Sequence, residues 1–240
     1  MEHPESRGTL GPLADDLASA ALGLARRFAT GATLWCWAPG APEHAQHVAV
    51  EFVHPVIMGK RALPAVAVTA GDGEALADLR ALVRPGDVIA LVGAEAADSR
   101  VLPVLRRAPS WGAETIWIGA GRRPPAGDAD HVLWLGDRAG LATHDGGFVL
   151  LYHLLWELTH VCFEHPGLMR EEAACEGPTC TTCSDEGRLA EVVGTADATA
   201  TVRTASGVEE IDITLVGDVG PGDLVLVHAG AALTIVDEQS

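Results

Sequence analysis

Two groups of side chains in this sequence have the types and the spacing of metal ligands. His47 and Glu51 lie four residues apart, so on a helix both point to one face, as paired metal ligands must. Cys175, Cys180 and Cys183 lie close together further along the chain, and two or three thiolates in one segment can bind zinc or an iron–sulfur cluster. Such sites usually need four ligands, so these cysteines can also be inert residues of a linker.

The composition restricts the classes of protein to which the chain can belong. Its 240 residues suffice for one compact domain and a small second one, with 16 basic and 33 acidic side chains and a net charge of −17. A protein that binds a phosphate backbone needs a basic face, so we expect no nucleic-acid partner. The five cysteines are an odd number and the acidic, polar start of the chain does not resemble a signal peptide. We therefore expect a cytoplasmic protein without a disulfide framework.

The longest apolar stretch, residues 148–163, is interrupted by His153, Glu157 and His160. Polar side chains at these positions predict a buried helix rather than a membrane span. We therefore expect no membrane partner.

Helical and strand patterns alternate along residues 10–164. Strands that alternate with helices predict an α/β domain with a parallel sheet flanked by helices. Helical periods occur at 10–30, 44–53, 73–82, 98–108 and 145–164, and apolar runs between them predict strands at 33–37, 65–69, 87–92, 114–118 and 131–135.

The pattern changes after Glu164. Residues 165–185 combine prolines, glycines and charged residues, a composition typical of a linker. From Gly187 onward the helical period is lost, and five short strands separated by turn signals predict a small all-β, OB-like barrel. The predicted organisation is an α/β domain at 1–169, a cysteine-containing linker at 170–186 and a barrel at 187–240.

The barrel sequence contains one specific motif, Gly-Asp-Leu-Val-Leu-Val-His-Ala-Gly-Ala at 222–231. Together with the alternating segment at 210–216 and the pair Gly187-Arg188, it resembles the HupF/HypC family of hydrogenase maturation chaperones. That family carries an iron centre with cyanide and carbonyl ligands, together with a partner scaffold protein, to the large-subunit precursor of a nickel–iron hydrogenase. The resemblance therefore implies this cargo and these two partners for the present chain.

The same resemblance implies which residues of the barrel region are functional. The family's cysteine lies just ahead of the barrel and corresponds to Cys183, and its histidine corresponds to His228. Soft sulfur suits low-spin iron, so a thiolate and an imidazole are reasonable contacts for the iron centre or the partner. Two alternatives remain: His228 can be a satisfied core histidine, and Cys183 can share a metal site with Cys175 and Cys180.

The N-terminal domain carries a second resemblance. Residues 45–52, Ala-Gln-His-Val-Ala-Val-Glu-Phe, and the segments 60–68 and 85–89 are similar to sugar isomerase (SIS) domains of the phosphoheptose isomerase type. The similarity covers most of residues 10–164. It implies a SIS-like fold and a homodimer.

In SIS domains of this type a histidine and a glutamate share a zinc ion with a glutamine and a later histidine. The matching positions of this chain are His47, Glu51, Asp145 and His153, so the resemblance implies zinc or another divalent cation there. The alternative is that both histidines pack between helices and that Glu51 is a solvated charge.

The phosphate-binding loops of that family have lost the required groups in this chain. The first loop reads Trp-Ala-Pro-Gly-Ala at 37–41, where Pro39 has no amide proton and Ala41 no hydroxyl. The second reads Gly-Ala-Glu-Ala-Ala-Asp at 93–98 and has two carboxylates where an anion would bind, which is repulsive. We therefore expect no sugar-phosphate isomerisation.

These observations favour an accessory chaperone of nickel–iron hydrogenase maturation over an enzyme. The alternative is a metal-dependent isomerase or hydrolase that acts on an uncharged or cationic substrate at the N-terminal metal site. A third hypothesis is a pure interaction scaffold that binds no metal.

Overall fold

The N-terminal domain is a five-stranded parallel sheet between two helical layers. A computed structural model describes residues 11–55, 57–94, 98–135, 145–169 and 187–236. The strands lie in the order β2-β1-β3-β4-β5, which confirms the predicted α/β class. The elements are α1 (Gly11–Ala29), β1 (Leu34–Trp37), α2 (Pro42–Val53), β2 (Ala65–Val68), α3 (Asp72–Leu82), β3 (Val88–Ala94), α4 (Leu102–Arg107), β4 (Glu114–Ala120), β5 (His131–Leu135) and α5 (Asp145–Glu164).

The central strand β3 sends alternate side chains into the two helical layers, because successive Cβ atoms of a strand point to opposite faces. Val88, Ala90 and Val92 pack with residues of α1, α2 and α5. Ile89 and Leu91 pack with residues of α3 and α4 on the other face. All five side chains are buried, so β3 forms a continuous apolar run, as is typical of a strand covered on both faces.

Helix α5 is the central helix of its layer. By length and apolar composition alone, its segment Gly146–Glu164 would suffice to cross a membrane. In the structure, Leu151, Leu155 and Trp156 pack in the core with α1, α2 and the sheet. This is the buried helix that the polar interruptions of the sequence predict.

The helix predicted at 98–108 is shorter than expected. It spans Leu102–Arg107 and continues only as a 3₁₀ turn, Ala108–Trp111. Pro103 has no amide proton and therefore fits only the first turn of a helix. The helix consequently cannot extend back to Asp98.

The C-terminal domain is a closed five-stranded barrel, as the sequence predicts. Strand β10 pairs with β9 on one side and with β8 on the other, and these pairings close the barrel. A register shift between Val192 and Gly194 lets β6 stay paired with β7 as far as Ala196. The strands are β6 (Arg188–Ala196), β7 (Thr199–Thr204), β8 (Gly207–Asp212), β9 (Leu224–His228) and β10 (Ala231–Ile235).

The barrel has its own core of small and branched apolar side chains, which alternate with exposed residues along the strands. The predicted linker at 170–186 lies outside the described residues, so the domain boundary stays a prediction. The apolar residues of this core are Ala190, Val192, Ala200, Val202, Ile211, Ile213, Val225, Val227 and Ala232.

A polar cluster fastens α1 to the amino ends of β4 and β5. Glu114 accepts a hydrogen bond from Nε of Arg27 at 2.7 Å, and its other oxygen lies 2.7 Å from Nε2 of His131. The hydrogen bonds with His131 and Arg27 lower the pKa of Glu114. A Cβ atom at Gly23 would lie 2.6 Å from the Glu114 carboxylate, so only glycine lets α1 approach this cluster so closely.

We expect Glu114→Gln to lower the free energy of unfolding by about 1.5–3 kcal/mol at neutral pH, since it weakens charge-assisted hydrogen bonds. Because the folded-state pKa of Glu114 is lowered, its stabilisation is present above the unfolded-state value of about 4.3 and is lost as the pH falls through the folded-state value. Urea unfolding of both proteins over a pH series measures this difference. Glu157→Gln is the control, because this glutamate is exposed on the surface of α5 and its charge contributes little. An equal loss of unfolding free energy in both variants would contradict the stabilising role of the Glu114 carboxylate.

Candidate metal centre and barrel end

Three of the four side chains predicted as metal ligands meet between α2 and α5. The Nε2 atoms of His47 and His153 are 3.2 Å apart, and each lies 3.4 Å from Oε1 of Glu51. One ligand atom from each residue lies within 4.8 Å of the other two. No second group of this kind occurs among the residues that the structure describes.

Helix packing produces this convergence. His47 and Glu51 lie one helical turn apart, and the same helix packs against the sheet through Val48 and Phe52. His153 comes from α5, which packs against α2. The local spacing on α2 and the contact between the two helices are thus both needed to assemble the group.

Tyr152 holds the ring of His47 from the core side. Its side chain is 1% exposed, and its hydroxyl lies 3.0 Å from Nδ1 of His47. When Nδ1–H donates to this hydroxyl oxygen, the lone pair of Nε2 is directed to Glu51 and His153. Metal-binding histidines use such contacts to fix their tautomer and ring orientation. Sequence analysis missed this residue, although it is the single tyrosine of the chain and directly precedes His153.

The donor set suits a zinc ion that keeps one coordination position open. Two imidazole nitrogens and one carboxylate oxygen are a known catalytic zinc set, and this arrangement leaves a position for water or a ligand. The side chains of His47 and His153 are 40% and 44% exposed, so solvent and small ligands reach the group. Asp145, the fourth predicted ligand, is the first residue of α5, and its side chain lies outside the described part of the structure.

The loop between β1 and α2 has few groups for binding an anion. Ala41 precedes α2 without a side-chain hydrogen bond, and its amide donates to the carbonyl of Ala38. Pro42, the first helical residue, has no amide proton. The start of α2 therefore offers fewer free backbone donors than a phosphate loop needs.

Arg100 is another residue near this loop that sequence analysis missed. A Cβ atom on Gly40 would lie 3.3 Å from Nη1 of Arg100, so the guanidinium lies against the first loop. Nε of Arg100 donates to the Asp98 carboxylate at 2.9 Å, and the side-chain hydrogen bonds from Arg100 lower the pKa of Asp98. The expected repulsion of an anion by Asp98 is therefore reduced by a paired cation. Glu95, the second carboxylate, lies outside the described residues.

His228 is the last residue of β9 and is half-buried. The antiparallel register pairs Val227 with Arg188, so the next position on each strand brings His228 beside Gly187. Cys183 lies four residues before Gly187 and, like Cys175 and Cys180, falls outside the described residues. The strand pairing thus places His228 where the cysteine-containing segment enters the barrel.

The cysteines inside the described part of the chain, Cys36 and Cys162, are buried and free. Burial raises the pKa of both thiols. A protonated, buried thiol behaves as a small apolar side chain, so both residues contribute packing.

His160 does not join the metal group, although it lies two helical turns beyond His153. Its Nδ1 lies 2.9 Å from the carbonyl oxygen of Trp156, and its Nε2 lies 3.0 Å from that of Arg61. Both ring nitrogens thus contact backbone oxygens, and the ring fastens α5 to the segment after α2.

Comparison with known families assigns the barrel. Residues 187–240 match the HupF/HypC family. This match links the C-terminal domain to hydrogenase maturation, and to interaction with hydrogenase maturation partners, at the level of the family.

We expect His47 to adopt the Nδ1–H tautomer, in which Nδ1–H donates to the Tyr152 hydroxyl 3.0 Å away and Nε2 accepts a hydrogen bond from His153. Long-range ¹H–¹⁵N spectra at about pH 8, where imidazoles are neutral, measure the tautomer. In Tyr152→Phe we expect the Nε2–H form of His47 to increase, while the exposed His165 keeps its tautomer. An Nε2–H form of His47 in the wild-type protein would contradict this direction of the hydrogen bond, since the Tyr152 hydroxyl would then be the donor to Nδ1.

The N-terminal region is similar to phosphoheptose isomerases. That of Nitratidesulfovibrio vulgaris (strain DSM 19637 / Miyazaki F) is 29% identical over 168 residues, which cover 63% of this chain and 80% of the relative. The solved Francisella tularensis enzyme has a TM-score of 0.53 at 18% identity, over 65% of this chain and 90% of that chain. The Neisseria gonorrhoeae enzyme has a TM-score of 0.50 at 20% identity, over 65% and 89%. The chain thus joins an N-terminal domain of SIS fold to a C-terminal domain that matches the HupF/HypC family.

Proposed function

We propose that the protein is a cytoplasmic accessory chaperone of nickel–iron hydrogenase maturation. The observation that carries the proposal is the HupF/HypC match over residues 187–240, which includes the strand that ends at His228. The cargo is an iron centre with cyanide and carbonyl ligands. The partners are the maturation scaffold protein and the large-subunit precursor of the hydrogenase.

Cys183 and His228 contact the iron centre or the partner in this proposal. The pairing of β6 with β9 supports it, because the segment that contains Cys183 enters the barrel beside His228. A thiolate is a soft ligand that suits low-spin iron, and an imidazole can ligate or donate a hydrogen bond. Neither role requires a rigid cage around the metal.

The N-terminal domain serves as a docking or dimerisation platform in this proposal rather than as a sugar-phosphate isomerase. The first phosphate loop supports this view, because Pro39 and Pro42 supply no amide protons and Ala41 has no hydroxyl. The SIS similarity adds a homodimer to the proposal.

The test is an anaerobic pull-down from hydrogenase-expressing cells, with bound proteins identified by mass spectrometry. We expect the wild-type protein to recover the scaffold or the large-subunit precursor. Cys183→Ala and His228→Ala should lose most of that recovery, because each removes one contact to the iron centre or partner. Cys180→Ala and His165→Ala are the matched controls and should bind as the wild type does.

Recovery of neither partner by the wild-type protein would contradict the chaperone proposal. Equal recovery by Cys183→Ala and the wild type would contradict the role of the cysteine while leaving the family function in place. Loss of recovery in Cys180→Ala would favour the alternative in which several cysteines share a metal.

A second proposal is a metal-dependent isomerase or hydrolase activity in the N-terminal domain. The observation that favours it is the convergence of His47, Glu51 and His153 within 4.8 Å. These residues would hold zinc, which when bound supplies a Lewis acid. Tyr152 orients the His47 ring, and the exposed edges of both histidines leave access for a substrate. The start of α2 offers few backbone donors, and the Arg100 guanidinium beside the first loop is paired with Asp98, so the proposed substrate is uncharged or cationic.

We expect the wild-type protein to bind about one zinc ion per chain at this donor set. His153→Ala should weaken zinc binding strongly, because only two described ligands remain. His54→Ala, at an exposed histidine just after α2, is the control. Titration calorimetry of the metal-free proteins with zinc measures the stoichiometry and the affinity of binding. Equal affinity in the wild type and His153→Ala, or no binding at all, would contradict a zinc site here.

A further inference from the structure

The barrel and the N-terminal domain meet around one buried carboxylate. Glu191 on β6 is 2% exposed, and its Oε1 lies 2.6 Å from Nη2 of Arg80 and 3.4 Å from Nε of Arg107. Its Oε2 accepts a hydrogen bond from Nε1 of Trp111 at 2.8 Å. All three of these partners belong to the N-terminal domain.

Arg203 on β7 fastens the barrel to the end of α3. Its guanidinium donates to the carbonyl oxygens of Arg80 and Val83, which stand at the carboxyl end of that helix. Carbonyl groups there have no partner within their own helix, and a cation also suits the negative end of the helix dipole. The same guanidinium lies 5.7 Å from the centre of the Trp111 ring. We call Glu191, Arg203, Arg80, Arg107 and Trp111 the interdomain cluster.

The backbones of the two domains also approach each other closely. Gly112 has a φ of 71°, and a Cβ atom there would lie 3.0 Å from the carbonyl oxygen of Ala205. Nη2 of Arg107 donates to the carbonyl of Gly222 at 3.3 Å. The positive φ of Gly112 and its close contact with Ala205 both require glycine at this position.

These interdomain contacts can form together in only one relative orientation of the two domains. Directional hydrogen bonds reach Glu191 from Trp111 and reach two helix-end carbonyls from Arg203. A rotation of the barrel within this interface would leave a buried carboxylate or guanidinium without its partner, which is strongly unfavourable. Charge-assisted pairs also have narrow geometry.

We propose that the N-terminal domain is the permanent partner of the barrel. It occupies the outer face of β6 and β7, so the two domains move as one rigid unit. A maturation partner then binds the barrel elsewhere, and this part of the inference rests on the proposed function. His228 stands at the end of β9, apart from the interdomain cluster. It follows Val227, whose partner on β6 is Arg188, three residues before Glu191.

The test is ¹⁵N relaxation of the intact chain, which gives a rotational correlation time for each domain without any hydrogenase partner. A rigid unit has one correlation time in both domains, whatever its oligomeric state. In the wild type we expect the ratio of the barrel's correlation time to that of the N-terminal domain to be close to one. If the barrel tumbled on a tether, its correlation time would be shorter by roughly two-fold or more, since it contains about a fifth of the chain. Such a result in the wild type overturns the proposal.

Two variants test the interdomain cluster from its two sides. Glu191→Lys places a cation among arginines, and Arg80→Glu, at a half-exposed side chain of α3, places a second carboxylate beside Glu191. We expect either variant to shorten the barrel's correlation time relative to that of the N-terminal domain. Glu209→Lys is the control, because it reverses a charge that pairs with Arg188 of the same domain, on the half-exposed surface of the barrel. If Glu191→Lys fails to fold, Arg80→Glu alone tests the role of the interdomain cluster. A ratio that stays near one in Arg80→Glu overturns the role of the cluster.

Discussion

The carboxylate of Glu191 is the constraint on which the arrangement of the two domains depends. It is buried, and its partners Arg80, Arg107 and Trp111 all come from the other domain. A buried charge needs its partners in place, so this interaction selects one orientation of the barrel. The strand that carries Glu191 begins beside His228, and the interdomain contact therefore also fixes the position of the end of the barrel at which β6 begins.

Helix α5 links packing to chemistry in the N-terminal domain. Leu151 and Leu155 are buried in the core, whereas His153 on the same helix faces α2 and meets His47. Tyr152 lies between these faces and connects the core to the candidate metal group through its hydroxyl and through ring contacts with His47 and His153. The position of the histidine pair consequently depends on how well the core around α5 is packed.

Local patterns predicted the fold well, because the helical and strand periods of both domains follow directly from which faces are buried. The local patterns predicted too long a helix at α4, because Pro103 restricts the backbone at the start of that helix. The i, i+4 spacing identified His47 and Glu51, but His153 was found only through the family resemblance, since its proximity arises from tertiary packing. Tyr152 and the interdomain cluster were missed for the same reason: contacts across the fold leave no periodic signal in the sequence.

We propose that the HupF/HypC-like barrel works while it is held on the SIS-fold platform, and that partners bind at the end of the barrel that carries His228. Hydrogen exchange of the intact chain, alone and with a purified hydrogenase large-subunit precursor, tests it most directly. We expect amides around His228 and the following turn to exchange more slowly in the complex, whereas the amides of β6 and β7 near Glu191 and Arg203 are protected in both states. No change around His228, or new protection confined to β6 and β7, would contradict it.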